Sequence, residues 1–190
     1  ISGIKTVFWL GDLEKVIEKL ISSCQNIYIN KNEHYRAKIE TETREARFNS
    51  WLINKYPKKN KERSNPILQR LRSIKDPKEI SLIQQACDIT NKGFRRILGF
   101  VKPGIWEYEI EAEFIHEFLI NRSKKFAYTP IIASGNNANI LHYIENNMQC
   151  RDGDLILLDV GAEYANYSSD MTRTIPCLLY TSPSPRDVEE

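Results

Sequence analysis

Leu155-Ile156-Leu157-Leu158-Asp159-Val160-Gly161-Ala162-Glu163-Tyr164-Ala165-Asn166-Tyr167-Ser168-Ser169-Asp170-Met171-Thr172-Arg173-Thr174 is the most informative run of the chain. Asp152-Gly153 precedes it as a turn, and the four consecutive apolar residues 155–158 read as a buried strand. From Asp159 to Thr174 the pattern predicts a hairpin that reverses near Glu163 to Asn166. A symmetrical hairpin of that kind sets Asp159 directly opposite Asp170, and residues so opposed on one face have Cβ atoms roughly 4.5–5.5 Å apart. Two carboxylates there repel and need a neutralising partner. A shared proton would serve, as would a neighbouring cation. A pair of divalent metal ions bridged by both carboxylates suits oxygen ligands and cancels the repulsion most completely. On spacing alone two plainer readings stay open: Asp170 satisfies turn amides, or Arg173 neutralises one carboxylate.

Upstream of this run, Tyr128 to Ala133 reads as a strand and Ser134 to Asn139 as a polar loop. Two long helices come before them. The first is signalled by Asp76-Pro77-Lys78-Glu79: Asp76 accepts from the first free amides, Pro77 fits a position that needs no donor, and Glu79 reaches back to the cap. Apolar residues then recur at Ile80, Ile83, Ala86 or Cys87, Ile89, Phe94, Ile97 and Leu98, one helical face ending near Gly99. Pro103-Gly104 makes a turn, and the second helix is predicted over about 106–121, with Ile110, Phe114, Ile115, Phe118 and Leu119 inward. At the front of the chain, a short apolar run (Val7 to Leu10), a helical pattern over 12–22 and the strand-like 26–30 suggest the end of a small α/β unit. Residues from about 32 to 65 carry charge and Asn with one helix-like patch around 46–56, and read as a linker ending near Pro66.

Composition bounds the function. A chain of 190 residues with 41% hydrophobic content can bury a core. The net charge of +2 gives no reason to expect a nucleic acid or an acidic membrane as partner, and the basic run Lys58, Lys59, Lys61, Arg63 reads as solvated linker. No apolar stretch approaches the roughly 20 residues that cross a bilayer, and no charged-then-apolar leader stands at the N-terminus, so a cytoplasmic location is expected. Cys24, Cys87, Cys150 and Cys177 form no CxxC pair and read as buried thiols or bystanders.

The run Asp159-Val160-Gly161-Ala162, Tyr164, then Ser169-Asp170-Met171-Thr172-Arg173-Thr174 resembles the metal-site segment of the pita-bread metallopeptidases, most of all their aminopeptidase P group. Ile132-Ala133-Ser134-Gly135-Asn136-Asn137-Ala138-Asn139-Ile140-Leu141-His142-Tyr143 resembles the family's substrate-side loop, and 74–80, Gly93-Phe94 and Val101-Lys102-Pro103-Gly104 with Glu107-Tyr108-Glu109-Ile110-Glu111 resemble the opening of its catalytic domain. The resemblance covers about 74–176 and implies an α/β (α+β) fold. Residues 1–62 are then the end of a small N-terminal α/β domain with its linker, 66–176 the first half of a pita-bread domain, and 177–190 a tail. It further implies that Asp159 is a bidentate ligand of one metal and Asp170 bridges two, usually manganese. His142 would be the catalytic, substrate-binding histidine, donating or accepting near the scissile peptide without binding metal. His34 and His116 lie outside any such motif and read as structural or surface residues.

The implied activity is removal of the N-terminal residue from peptides with proline second, by a homo-oligomer when intact. A prolidase-type dipeptidase and a non-catalytic peptide- or protein-binding module on the same fold are the alternatives. Methionine aminopeptidase fits less well, because the upstream unit suggests a separate N-terminal domain. The family site also uses a histidine and two glutamates from the second half of the domain, and these three ligands are not found in this sequence. With Ile1 in place of Met and a Ser/Pro-rich end at 181–187, the chain is expected to be an inactive piece truncated at both ends. Its tail is either non-native sequence or a short disordered segment.

Overall fold

Asp76 begins the longest helix with a reciprocal cap: its Oδ1 accepts from the Glu79 amide and Glu79 Oε2 accepts from the Asp76 amide, each at 2.8 Å. In the computed structural model, which describes residues 3–31 and 41–178, this cap stands at the start of the second of two units, Ile1–Ile74 and Lys75–Glu190. Among the described residues no helix is long and apolar enough to cross a membrane. His34 and residues 179–190, including most of the expected tail, lie outside the described residues.

The first unit holds helix α1 (Leu13–Ser22), strand β1 (Asn26–Ile29), helix α2 (Arg44–Lys55), strand β2 (Asn60–Arg63) and helix α3 (Asn65–Ser73). Strands β1 and β2 pair in parallel, Asn26 with Asn60 through Ile29 with Arg63. This corrects the reading of the basic run as solvated linker. Lys61 Nζ donates to the carbonyls of Tyr56 and Pro57 at 2.7 and 3.0 Å, and its backbone belongs to a ladder. A strand made wholly of polar residues gives no apolar alternation to detect.

In the second unit, helix α4 (Pro77–Phe100) buries Ala86, Ile89, Thr90, Gly93, Phe94 and Ile97, and helix α5 (Glu107–Ile120) buries Glu107, Ile110, Phe114 and Phe118. The two helices meet at Gly93, where a Cβ would stand 2.8 Å from Phe114 Cδ1 and 3.0 Å from Phe118 Cε1. A glycine there lets the aromatic rings reach the α4 backbone. Both Phe114 and Phe118 are fully buried, worth about 1.5–3 kcal/mol each in apolar transfer. Behind the helices, strands β3 (Ile131–Ser134), β4 (Leu155–Val160) and β7 (Met171–Pro176) form an antiparallel sheet in the order β3-β4-β7. Ile132, Ile156, Leu158, Val160 and Ile175 face the same core. Strand β3 begins later than the pattern predicts because Pro130 has no N–H to give a ladder.

Between β4 and β7, two short strands, β5 (Glu163–Tyr164) and β6 (Tyr167–Ser168), complete the hairpin. Its two-residue tip is Ala165-Asn166, with φ of 50° and 68°, the left-handed pair of a type I′ turn. The turn therefore sits farther along the chain than the sequence suggested, and the register changes with it. Asp159 pairs with Thr172, not with Asp170. Side chains alternate with period two, so Asp170 still shares a face with Thr172 and Asp159, and the two carboxylates are diagonal neighbours.

Candidate metal and peptide site

The approach to Asp170 is set by a buried polar knot. Thr90 Oγ1 on α4 and Ser169 Oγ stand 2.7 Å apart, and both accept from the Ala162 amide, at 2.9 and 3.0 Å. The Ser169 amide donates to the Ala162 carbonyl at 3.0 Å. Thr90 and Ser169 are 0% and 3% exposed, so these hydroxyls have no water to turn to. Gly161 sits in the same crossing: a Cβ there would lie 1.9 Å from the Ser169 carbonyl oxygen. Only a residue without Cβ lets the two hairpin arms close at this level, which fixes where Asp170 emerges. On the helix side, Tyr167 Oη donates to Glu79 Oε1 at 2.8 Å and ties the hairpin to the α4 cap.

Asp159, half-buried at the end of β4, and Asp170, exposed just before β7, converge on one phenol. Tyr128 Oη lies 2.7 Å from Asp159 Oδ1 and 3.0 Å from Asp170 Oδ1. A phenol carries a single proton, so it can donate to only one carboxylate at a time. Burial, and then the hydrogen bonds to the two aspartates, push the Tyr128 hydroxyl far above its ordinary value, which keeps it protonated and donating. Arg173 does not serve as the neutralising cation. It lies on the alternate face of β7 and its Nη1 donates to the Thr172 carbonyl at 2.7 Å.

His142 reaches the same place from the segment between β3 and β4. It is exposed, in the left-handed region with φ of 55°, and with Tyr128, Ile131, Ile144, Asp159 and Asp170 it lines a cavity of about 380 Å³. The structure thus brings together all three residues singled out from the sequence. His116 is exposed on α5, away from this cavity. The adjoining Tyr143 is buried and donates to Glu107 Oε2 at 2.7 Å. Tyr128 and Glu107 escaped the sequence reading. Tyr128 gave no local signal, whereas Glu107 did: it falls on the stripe of Ile110, Phe114 and Phe118, where a carboxylate has to be explained.

Chemically, the cavity offers two hard oxygen donors side by side with an imidazole and two isoleucines on its walls. That donor set fits a divalent cation that prefers carboxylate, and Asp159 and Asp170 would hold it. Among the described residues no group of three or more His, Cys, Asp or Glu side chains is placed to coordinate one.

Comparison with known proteins supplies the family. Residues 81–189 match the model of metallopeptidase family M24. The Xaa-Pro aminopeptidase of Haemophilus influenzae is 43% identical over 125 residues, 66% of this chain and 29% of that protein. Human Xaa-Pro aminopeptidase 3 is 30% identical over 177 residues, 93% of this chain and 34% of that protein. The chain therefore spans about a third of the length of the curated relatives it matches. An aminopeptidase P structure from Bacillus anthracis superposes with a TM-score of 0.83 at 33% identity, covering 93% of this chain and 42% of that one. A variant of Escherichia coli aminopeptidase P in complex with substrate gives 0.75 at 29% identity, covering 92% and 40%. The mixed α/β arrangement is that of the pita-bread aminopeptidase P structures, and this chain belongs to metallopeptidase family M24.

Proposed function

We propose that the chain is part of a metal-dependent aminopeptidase that releases the N-terminal residue from peptides with proline in the second position. The observation that carries this reading is the cavity on which Asp159, Asp170 and His142 converge, in a chain whose relatives are named Xaa-Pro aminopeptidases. Asp159 and Asp170 would hold the metal, with manganese the ion proposed. When bound, a divalent pair supplies a water whose pKa is lowered toward neutrality. Tyr128 orients the two carboxylates, one proton between them, so that their oxygens already face the same point. His142, in the lining of the same cavity, would hydrogen-bond a peptide carbonyl or the charge that develops on it. Ile131 and Ile144 add apolar surface to the lining of the same cavity.

We infer that the remaining ligands, a histidine and two glutamates, come from outside the residues described. Two carboxylates alone bind hard divalent ions weakly, so this 190-residue chain by itself is proposed to be inactive. The test uses the full-length protein, with Xaa-Pro-Xaa and Xaa-Ala-Xaa tripeptides assayed with and without Mn²⁺. Metal-stimulated cleavage confined to the proline peptides, and abolished by Asp159→Asn or Asp170→Asn, is the expected result. Equal cleavage of both peptides would remove the proline specificity. Cleavage of Xaa-Pro dipeptides alone would point to a prolidase, and cleavage of nothing to a binding module.

A further inference from the structure

Glu107 is fully buried on the apolar face of α5, outside the cavity, and yet both of its oxygens are hydrogen-bonded. Its Oε1 accepts from the Ser134 amide and hydroxyl, both at 2.7 Å, and from Asn137 Nδ2 at 3.2 Å. Its Oε2 accepts from Tyr143 Oη at 2.7 Å and from the Met148 amide at 2.9 Å. A carboxylate removed from water is costly unless its lone pairs are met, and here every donor comes from one segment, at positions that bracket His142 on both sides. That segment is strained as well as pinned. His142 and Asn146 have φ of 55° and 45°, a region that non-glycine residues occupy only where the surroundings enforce it. Asn146 is fixed in turn, accepting from the Ile132 amide at 3.1 Å and donating to Glu111 Oε2 at 2.9 Å. Among the described residues, nothing hydrogen-bonds the His142 ring. Its fixed neighbour is Tyr143, and Tyr143 is held by Glu107.

We propose that Glu107 is the positioning residue for His142: its ionised carboxylate clamps Ser134 and Asn137 at one end of the segment and Tyr143 and Met148 at the other, and so holds the imidazole over the cavity that carries Asp159 and Asp170. A glutamate that only stabilised the fold would need no donors distributed around a single exposed histidine. The inference rests on His142 being the substrate-facing residue, but its test does not depend on peptide cleavage.

The test compares amide hydrogen exchange and histidine-ring NMR signals in the wild-type chain, Glu107→Gln and Tyr143→Phe. Glu107→Gln keeps the shape and turns one acceptor into a donor that faces other donors. Exchange at Ser134 and Met148 is expected to rise about tenfold or more while Ile156 and Leu158 in β4 stay protected. The His142 ring signals should shift or broaden, and those of His116 should not. Tyr143→Phe removes one donor and buries no new charge, so it is expected to fold and to move the His142 signals alone. It decides the matter if Glu107→Gln does not fold. Wild-type His142 signals in the folded variants would overturn the proposal, as would β4 amides accelerating in step with Ser134 and Met148. Either failure would leave the aminopeptidase reading intact, because neither readout involves peptide cleavage.

Discussion

Asp159 and Asp170, eleven positions apart in sequence and diagonal across a hairpin, each turn an oxygen toward the same Tyr128 hydroxyl, at 2.7 and 3.0 Å. That one proton reduces the repulsion between them. Tyr128→Phe removes it and little else. The variant should therefore lose roughly 1 kcal/mol of stability in chelator, the usual net worth of a hydrogen bond, with less than that if solvent screens the exposed Asp170. In millimolar Mn²⁺ the gap between variant and wild type should narrow, because a cation replaces the proton. Thermal unfolding in the two buffers measures this. An identical gap in both would mean that the phenol and a cation do not compete for the carboxylates.

Gly161 makes a harsher prediction. A Cβ 1.9 Å from the Ser169 carbonyl oxygen cannot be relieved by a rotamer change, because the obstructing atom is backbone. Gly161→Ala has to separate the hairpin arms, break the knot of Thr90, Ser169 and Ala162, and displace Asp170. A loss of about 3 kcal/mol or more is expected by urea denaturation. Gly153→Ala is the contrasting control. No atom lies within 4 Å of its added Cβ, and only its φ of 83° opposes the change, so about 1 kcal/mol is expected. Equal losses at the two positions would show that the close crossing does not govern the hairpin.

What the sequence disclosed follows the range of the forces involved. The cap at Asp76 and Glu79 was legible because both bonds span three residues, and the central part of the α4 and α5 faces because burial repeats with the helical period, although Ile80, Leu98 and Leu119, expected on those faces, are exposed. The shared face of Asp159 and Asp170 was legible for the same kind of reason, since alternation survives a displaced turn. Their register was not. It depends on Ala165 and Asn166 adopting positive φ, and neither residue demands it as glycine would. Tyr128 was invisible because its contacts reach 31 and 42 residues along the chain. Glu107 was half visible: its place on an apolar stripe announced a buried charge, but the donors from 134–148 could be found only in three dimensions.

The cysteines divide into two pairs with different reactivity. Burial, and then the neighbouring Cys177 thiol, push the Cys150 thiol up to about 12, and burial pushes Cys177 up as well. The thiolate is the nucleophile, so both should resist alkylation. Cys24 and Cys87 are only half-buried. Treatment with iodoacetamide at pH 8, followed by peptide mass mapping, should label Cys24 and Cys87 well before Cys150 and Cys177. Fast labelling of Cys150 would mean that the core around β4 opens readily in solution.

Glu107 should also set how the chain responds to acid. Burial alone would raise its pKa, but the Met148 and Ser134 amides, the Ser134 hydroxyl and Tyr143 outweigh burial and hold the carboxyl below the ordinary glutamate value of 4.5. A group depressed in the folded state contributes stability that is fully present above its unfolded value and is lost as pH falls through the folded one. Between neutral pH and about pH 5 the contribution of Glu107 should therefore be flat, and it should fall away below pH 4.5. Glu107→Gln cannot titrate, so the stability difference between wild type and variant should shrink as the solution is acidified through that range. Urea midpoints taken at half-unit steps from pH 6 to pH 3, about the range over which a carboxylate titrates, provide the measurement. A difference that stays constant down to the lowest pH would show that the Glu107 charge contributes nothing to the fold and that the site needs only a hydrogen-bonding side chain.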